Sequence, residues 1–211
     1  MAGDRPARVV LVTGTGTGVG KTWVAAELLR AARAVGWSVA ARKPTQSSDP
    51  GTLTDGAVLA AASGEDPDEV CPPHRSYERA MAPFMAADVL GRPRLQLSEL
   101  IGELAWPDSV RLGVVEGVGG VRSPITHDGG DTVDLAEALE PDLVLLVADA
   151  GLGTLHAVRT CLPPIERYRV AVILNRYDPL DDLHPRNAGW LTQWLDVPIC
   201  TDVAEVLPLL T

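Results

Sequence analysis

The stretch that decides the fold runs from residue 13 to residue 22 and reads Thr-Gly-Thr-Gly-Thr-Gly-Val-Gly-Lys-Thr. It follows a short β-branched run at residues 8–13, which predicts a buried strand. It leads into residues 21–35, where apolar side chains recur at the three- and four-residue spacing of a helix. A glycine-rich turn between a strand and a helix lets backbone N–H groups surround phosphate oxygens, and the helix start adds a positive dipole end. We therefore predict a phosphate-binding loop here.

The Gly20-Lys21-Thr22 ending gives this loop its expected chemistry. The Lys21 ammonium is a compact charge suited to the β- and γ-phosphates, and the Thr22 hydroxyl is suited to Mg²⁺. The usual pattern has a glycine at the position of Thr15, whereas here the glycine is Gly14, one residue earlier. The strand before the loop, the helix after it and the intact Gly-Lys-Thr outweigh this departure and predict a nucleotide site.

The rest of the chain alternates between two kinds of apolar segment. Strand-like runs occur at residues 38–42, 112–115, 143–147, 170–174 and 197–199, and helical segments lie near residues 54–63, 80–90, 97–105, 132–139, 154–167 and 186–196. Strands that are apolar throughout and alternate with helices predict an α/β, three-layer P-loop NTPase fold, with a mostly parallel central sheet flanked by helices on both faces. Residues 64–77, rich in Pro, Asp and Glu, are predicted to form a surface excursion too short for a linker. We therefore expect residues 1–211 to form a single domain.

Composition excludes several classes of partner. Twenty-eight acidic residues against 18 basic ones give a net charge of −10, which argues against nucleic acid and anionic membrane surfaces. No run approaches the roughly 20 apolar residues of a membrane span. Cys71, Cys161 and Cys200 are widely spaced, which favours reduced thiols and a cytoplasmic location. Sixteen of the basic residues are Arg and only two, Lys21 and Lys43, are Lys, which draws attention to the second lysine.

Polar residues follow the predicted strands at the edge where ligands bind in such sheets. Lys43 ends the second strand and Glu116 ends the strand after it in the apolar series, so both are expected to face the crevice of Lys21. A buried acid is costly unless it is paired or metal-bound. Because Mg²⁺ prefers hard oxygen ligands, we predict Thr22, Asp55 and Glu116 as metal ligands. Asp55 is equally explained as a first-turn acid of a helix.

Taken together, these motifs resemble the dethiobiotin synthetase family. The resemblance is carried by the loop at residues 13–22, Lys43-Pro44 with Ser47, Asp55, Glu116-Gly-Val-Gly-Gly120, Ala82-Pro-Phe-Met-Ala-Ala87, Asp131-Thr-Val-Asp-Leu-Ala136 and Asn175. It covers about residues 8–178. It implies an ATP-dependent cyclo-ligase of biotin biosynthesis, which carboxylates 7,8-diaminononanoate with CO2, phosphorylates the carbamate and closes the ureido ring. It also implies Mg²⁺ as cofactor, ATP as co-substrate and a homodimer.

The resemblance assigns roles to individual residues. It makes Lys43 a catalytic lysine that stabilises the carbamate and its phosphate, with Lys21 on the transferring phosphoryl group and Thr17 beside the substrate. The nucleotide is expected to contact Gly18, Val19, Gly20, Lys21, Thr22, Trp23, Asp55, Glu116, Gly117, Val118, Gly119, Asn175 and Arg176. The diamine or carbamate is expected to contact Thr17, Ser47, Gly119 and the N–H groups of Thr154, Leu155 and His156 at a helix start.

Two alternative functions share parts of this pattern. A nucleotide-driven switch or partition-type ATPase has the same fold but typically carries a further lysine early in the loop, and the stretch Gly14-Thr15-Gly16 has none. Amidotransferase-type synthetases of corrin biosynthesis usually carry a glutaminase domain with a nucleophilic cysteine, for which 211 residues leave no room.

Two groups of residues are predicted to be structural. Trp190 and Trp194 share a helix face with Leu191, which favours packing over binding. The four histidines show no metal spacing and are predicted to be surface or capping residues; they are His74, His127, His156 and His184.

Overall fold

The computed structural model describes residues 5–211. Its strands are β1 (Arg8–Gly14), β2 (Val39–Arg42), β3 (Gln46–Ser47), β4 (Ser76–Tyr77), β5 (Leu112–Glu116), β6 (Leu143–Asp149), β7 (Val170–Asn175) and β8 (Ile199–Cys200). Its helices are α1 (Lys21–Ala34), α2 (Asp55–Ser63), α3 (Pro67–Val70), α4 (Pro83–Val89), α5 (Leu97–Gly102), α6 (Thr132–Leu139), α7 (Thr154–Cys161) and α8 (His184–Trp194). Short 3₁₀ turns lie at Pro73–Arg75, Pro163–Ile165, Val203–Glu205 and Leu207–Leu210.

Six strands form the central sheet in the order β2-β5-β1-β6-β7-β8, and every pairing in it is parallel. The residues of β1 alternate between two cores, as a strand buried on both faces requires. Val10 and Val12 pack with α1 and α2 on one face, and Val9 and Leu11 pack with α6 on the other. Helices α7 and α8 cover the second face further along the sheet. The predicted three-layer α/β fold is confirmed.

Parallel pairing brings the carboxyl ends of β1, β2, β5, β6 and β7 to one edge of the sheet. The polar residues that follow these strands therefore converge there, and the site lies at this edge. Within residues 5–211, none of the helices combines the length and the apolar character that crossing a membrane would require.

The predicted helix at residues 154–167 is wrong in its second half. Helix α7 ends at Cys161, and a 3₁₀ turn follows at Pro163–Ile165. Consecutive prolines at 163 and 164 remove two backbone donors, so the hydrogen bonds of α7 end with the Leu162 N–H on the Val158 carbonyl. The helical pattern of apolar side chains continues in the sequence past Cys161, but the helical backbone ends there.

The predicted surface excursion at residues 64–77 is ordered and partly buried. Its end pairs with Gln46–Ser47 as a second, two-stranded parallel sheet, and Tyr77 is buried. The buried guanidinium of Arg75 donates from Nε to Oε2 of Glu103 over 2.7 Å and from Nη2 to Oε1 over 2.6 Å. A further bond of 3.2 Å joins Arg75 to Glu99. This Arg75 cluster (Arg75, Glu99, Glu103) fastens the segment to α5.

The expectation for one of the histidines needs correction. The side chain of His127 is only 5% exposed, because its Nδ1 accepts the Leu95 N–H over 2.8 Å and its Nε2 lies 3.0 Å from Asp88. It is an internal structural residue, not a surface one. Trp190 and Trp194 do stack with ring centroids 6.0 Å apart, but Trp194 remains 63% exposed.

Candidate active site

The loop between β1 and α1 has the backbone that its glycines predicted. Gly18 and Gly20 adopt left-handed conformations, with φ of 78° and 93°. A Cβ at Gly20 would lie 2.0 Å from Nδ2 of Asn175, and one at Gly14 would lie 2.8 Å from the side chain of Val19. Residue 14 is thus a position where the loop approaches itself closely, which explains why it is a glycine.

Lys21 and the start of α1 are ready to receive an anion. The N-cap residue of α1 is Gly20, which has no side chain to cap the helix, so the first N–H groups of α1 are available to phosphate oxygens. The Lys21 ammonium is mostly buried and donates to the carbonyl of Gly16 over 2.9 Å. Burial, followed by the nearby charge of Lys43, lowers the pKa of Lys21. A bound phosphate would supply the negative charge that this lysine lacks.

Four side chains meet beside the loop and form what we call the Lys43 junction (Lys43, Glu116, Thr22, Asp55). The Lys43 ammonium donates to Oε1 of Glu116 over 2.7 Å and to the Gly117 carbonyl over 3.0 Å, and it lies 3.0 Å from Oδ2 of Asp55. The Thr22 hydroxyl lies 2.9 Å from Oδ1 of Asp55 and 3.0 Å from Oε1 of Glu116. Its single proton serves one of these carboxylates at a time.

Neighbouring strands and one helix start produce this junction. Lys43 directly follows β2 and Glu116 ends β5, and these two strands pair in the sheet. Asp55 is the first residue of α2, whose N-cap is Thr54. The sequence therefore predicted the convergence of Lys43 and Glu116 from strand ends. Asp55 is a first-turn acid of α2, and its position in the junction is compatible with the metal-ligand role that the sequence also predicted.

Burial is the largest influence on the three ionisable groups of the junction. It opposes the charged form of Lys43, but the Glu116 and Asp55 carboxylates outweigh it and raise the pKa of Lys43. Burial raises the pKa of Glu116, and the Lys43 ammonium only partly opposes this rise. At Asp55, the effect of burial is outweighed by Lys43 and by the Thr22 hydrogen bond, so the pKa of this carboxyl is lowered. The ammonium keeps its proton, and Asp55 is ionised near neutral pH.

The junction has unused capacity for a cation. Glu116 is fully buried, yet its Oε2 has no hydrogen-bond partner among residues 5–211. Two lysines and two carboxylates balance in charge, so the pocket is not positive until a cation joins it. The same described residues hold no group of three His, Cys, Asp or Glu side chains that could bind a metal alone. Thr22, Asp55 and Glu116 fit Mg²⁺ as hard oxygen donors that share it with phosphate and water.

A cleft extends from the phosphate loop over the Lys43 junction, and we call it the phosphate cleft. The predicted residues that line it are Thr17, Gly18, Gly20, Lys21, Thr22, Lys43, Ser47, Asp55, Glu116, Val118 and Gly119. The Ser47 hydroxyl donates to the carbonyl of Met81, which joins the segment after β2 to the start of α4. Gly117 contributes through its carbonyl, which accepts from Lys43. Most of the predicted site therefore comes together here.

A second groove begins on the other side of Gly20 and is called here the β7 groove. Gly20 lines both cavities, and Trp23, Asn175 and Arg176 line the groove together with Tyr177, Thr201, Asp202 and Val203. Asn175 donates from Nδ2 to the Val19 carbonyl over 2.9 Å. Arg176 donates to the Gly18 carbonyl over 2.9 Å and forms an ion pair of 2.7 Å with Asp149. The end of β7 thus holds the phosphate loop.

The structure does not bring residues 154–156 into the phosphate cleft. Leu155 and His156 line a separate shallow groove with Arg159 and Trp190. Thr154 is buried, and its hydroxyl has no hydrogen-bond partner among the described residues. The helix start at Gly153 exists as predicted, but it opens away from the cleft of its own chain.

Sequence reasoning missed several residues of these cavities. Gln46 and Ser123 line the phosphate cleft; Gln46 Oε1 accepts the Gly56 N–H over 2.8 Å and Ser123 Oγ accepts the Gly120 N–H over 2.8 Å. Both stand close to strand ends, so the rule that located Lys43 and Glu116 could have found them. Thr201 and Asp202, which line the β7 groove, likewise follow the last strand.

This arrangement of loop, helix start, junction and parallel sheet defines a P-loop nucleoside triphosphatase, and the AAA domain family matches residues 8–199. ATP-dependent dethiobiotin synthetase BioD of Anaeromyxobacter sp. (strain K) is 40% identical over 197 residues, which cover 88% of this chain and 86% of that protein. The enzyme of the same name from Haloferax mediterranei is 34% identical over 194 residues, covering 90% and 81%. The chain belongs to the dethiobiotin synthetase family.

Solved structures agree on the fold. The signal recognition particle receptor FtsY from Elizabethkingia anophelis aligns with a TM-score of 0.52 at 16% identity, covering 99% of this chain and 67% of that one. A DUF1611 family protein from Anabaena variabilis aligns with a TM-score of 0.58 at 17% identity, covering 97% and 57%. Identities this low establish the shared architecture alone.

Proposed function

We infer that this protein is an ATP-dependent ligase of biotin biosynthesis that makes dethiobiotin from 7,8-diaminononanoate and CO2. The observation that carries the assignment is the Lys43 junction, which places a second lysine and two carboxylates beside a phosphate loop that already has its own lysine. Phosphoryl transfer requires mainly positioning and positive charge around the γ-phosphate. We further propose that residues 1–211 form one domain whose partners are small molecules.

The nucleotide is proposed to span both cavities. Its phosphates would take the free N–H groups of α1 and the Lys21 ammonium, which leaves the Gly16 carbonyl. Gly20 lines both the phosphate cleft and the β7 groove, so a nucleotide that crosses it would place its base between Trp23, Asn175 and Arg176. The glycine is needed there because any Cβ would collide with Asn175.

Mg²⁺ is proposed to be held by Thr22, Asp55 and Glu116 together with phosphate oxygens. When bound, it would neutralise charge that develops on the transferring phosphoryl group. The strongest support for this metal site is Oε2 of Glu116, which has no partner among residues 5–211. An unsatisfied buried oxygen is unfavourable unless a ligand binds it.

The reaction is proposed to proceed in three steps. One amine of the diamine attacks CO2 and loses a proton, which gives a carbamate. A carbamate oxygen then takes the γ-phosphoryl group, so that nucleoside diphosphate leaves. The second amine attacks the carbon of the phosphorylated carbamate and loses a proton to solvent. A C–N bond forms, the C–O bond to the phosphate breaks, and phosphate departs with the ring closed.

The Lys43 ammonium is proposed to stabilise the negative charge of the carbamate and then that of its phosphate. All three of its protons are bound in the junction, and the most exposed of their acceptors is Asp55, whose side chain is 46% exposed. An exchange of this partner for a carbamate oxygen would leave Glu116 and Gly117 to hold the ammonium. Thr17, Ser47 and Gly119 line the phosphate cleft and not the β7 groove, and the diamine would lie beside them.

A cytoplasmic homodimer is proposed from the resemblance of the motifs. Thr154, Leu155 and His156 open away from the cleft of their own chain, which is compatible with a role in the cleft of a second copy.

The assignment is tested by phosphate release with ATP, GTP, CTP and UTP, each with and without diaminononanoate and bicarbonate. We expect release to require both substrates and to match dethiobiotin formation one to one. Release that ignores the diamine would identify a nucleotide-driven switch or partition-type ATPase instead.

A further inference from the structure

One of the five tryptophans has no ring partner within the described chain. Three others each lie beneath an arginine, in the pairs Arg111–Trp37, Arg42–Trp106 and Arg159–Trp190, and Trp194 stacks on Trp190. No such ring contact to Trp23 occurs within residues 5–211, and Trp23 is 55% exposed. A large exposed aromatic ring beside a cavity indicates a binding surface.

Trp23 stands at the entrance to the β7 groove. It follows Lys21 and Thr22 on the first turn of α1, while the next residues, Val24 and Ala25, are fully buried. Its side chain therefore lies on the cavity side of the helix start, in a groove shared with Tyr177 and Asp202. Any group joined to phosphates at Gly20 must pass this ring.

Three polar groups of the groove already have protein partners: the Asn175 amide N–H, the Arg176 guanidinium and Oδ1 of Asp202. Asn175 donates to the Val19 carbonyl, Arg176 donates to Asp149 and to the Gly18 carbonyl, and Asp202 Oδ1 accepts the Ala204 N–H over 2.7 Å. A base edge that bonded to these three groups would require their present contacts to be given up. Stacking on Trp23 costs none of them.

We propose that Trp23 is the stacking surface for the nucleobase and contributes to the binding of all four bases to a similar extent. This proposal rests on the proposed nucleotide-binding function. Stacking on an aromatic ring tolerates any base because every base has a π-face. The β7 groove would therefore bind the base of the nucleotide, while the phosphate loop binds its phosphates.

The test is calorimetric titration of the full chain with ADP, GDP, CDP and UDP in the presence of Mg²⁺. For the unmodified chain, the four affinities are expected to lie within about tenfold of each other, since stacking dominates. Trp23→Ala should weaken all four by about 5- to 150-fold, and Trp23→Phe should retain most of the affinity. Inorganic tripolyphosphate, which has no base, should bind equally to all variants.

Trp194→Ala is the matched control, because Trp194 is also an exposed tryptophan on a helix but lies on α8. It should leave every affinity unchanged. Unchanged diphosphate binding in Trp23→Ala, or a preference of more than a hundredfold for one base, would overturn the stacking proposal and leave the ligase assignment intact. Failure of the unmodified chain to bind either diphosphates or tripolyphosphate would overturn the nucleotide site itself.

Discussion

Two cation–carboxylate clusters occupy this molecule, and they differ in how completely their atoms are used. In the Arg75 cluster, both carboxylate oxygens of Glu103 accept hydrogen bonds from one guanidinium. In the Lys43 junction, Glu116 is more deeply buried, yet only Oε1 has partners and Oε2 has none among residues 5–211. The first cluster is complete without a ligand, whereas the second is not.

We propose that the difference separates a cluster that stabilises the fold from one that takes part in the reaction. A planar guanidinium that bonds a carboxylate twice fixes two segments in one geometry. In this way Arg75 holds residues 64–77 against α5. A point-like ammonium with three acceptors can exchange one of them without losing the rest. Buried polar atoms are normally satisfied, so the unpartnered Oε2 of Glu116 supports the proposed Mg²⁺ site.

The largest expected effect comes from replacing the ammonium of the junction by a guanidinium. Lys43→Arg should lower kcat by about 10²–10³-fold, the usual cost of losing one aimed donor at a developing charge, and should keep nucleotide binding. Turnover of the diamine and titration with ADP measure the two properties. Arg42→Lys is the matched control, because it changes the adjacent buried cation, which pairs with Glu65 outside the cleft. Turnover of Lys43→Arg close to that of the unmodified chain would remove Lys43 from the mechanism.

A smaller effect is expected when the free oxygen of the junction is neutralised. Glu116→Gln keeps the size of the side chain and an acceptor for Lys43, but it removes the charge that would hold Mg²⁺. The Mg²⁺ concentration that half-saturates ADP binding should rise about tenfold or more. Asp55→Asn should shift it less, since Asp55 is half-exposed. An identical Mg²⁺ requirement in Glu116→Gln would show that the carboxylate is no metal ligand.

The contrast between the clusters also explains how far the sequence could be interpreted. Lys43 and Glu116 were predictable because each follows a strand and parallel strands end at one edge. The Arg75 cluster was not, because its partners lie 24 and 28 residues from Arg75 and because Arg75 itself lies in a segment without periodicity. Residues 154–156 show the opposite failure: the helix start was predicted correctly, but the direction in which it opens depends on packing that no local pattern encodes.

The Arg75 cluster should respond in stability and not in turnover. Glu103→Gln removes the charge-assisted bonds to Arg75 and should lower the free energy of unfolding by about 1 kcal/mol, a value at the low end because Glu103 is a third exposed. Denaturant unfolding measures the loss. The value of kcat should stay within about twofold, because no member of this cluster lines the phosphate cleft. A fall in kcat comparable to that of Lys43→Arg would contradict the distinction between the clusters.

The smallest effect, and the sharpest test of the contrast, is the pH dependence of these two glutamates. Hydrogen bonds from Arg75 lower the pKa of Glu103, so its stabilising contribution is present above the unfolded value of about 4.3 and is lost as the pH falls through the folded pKa. Burial raises the pKa of Glu116, so its contribution is present below about 4.3 and is lost as the pH rises through the folded pKa. Between pH 3 and 7, the unmodified chain should therefore gain stability relative to Glu103→Gln and lose it relative to Glu116→Gln. Unfolding free energies of the three proteins across this range give both slopes, and slopes of the same sign would mean that the two carboxylates are held in the same way.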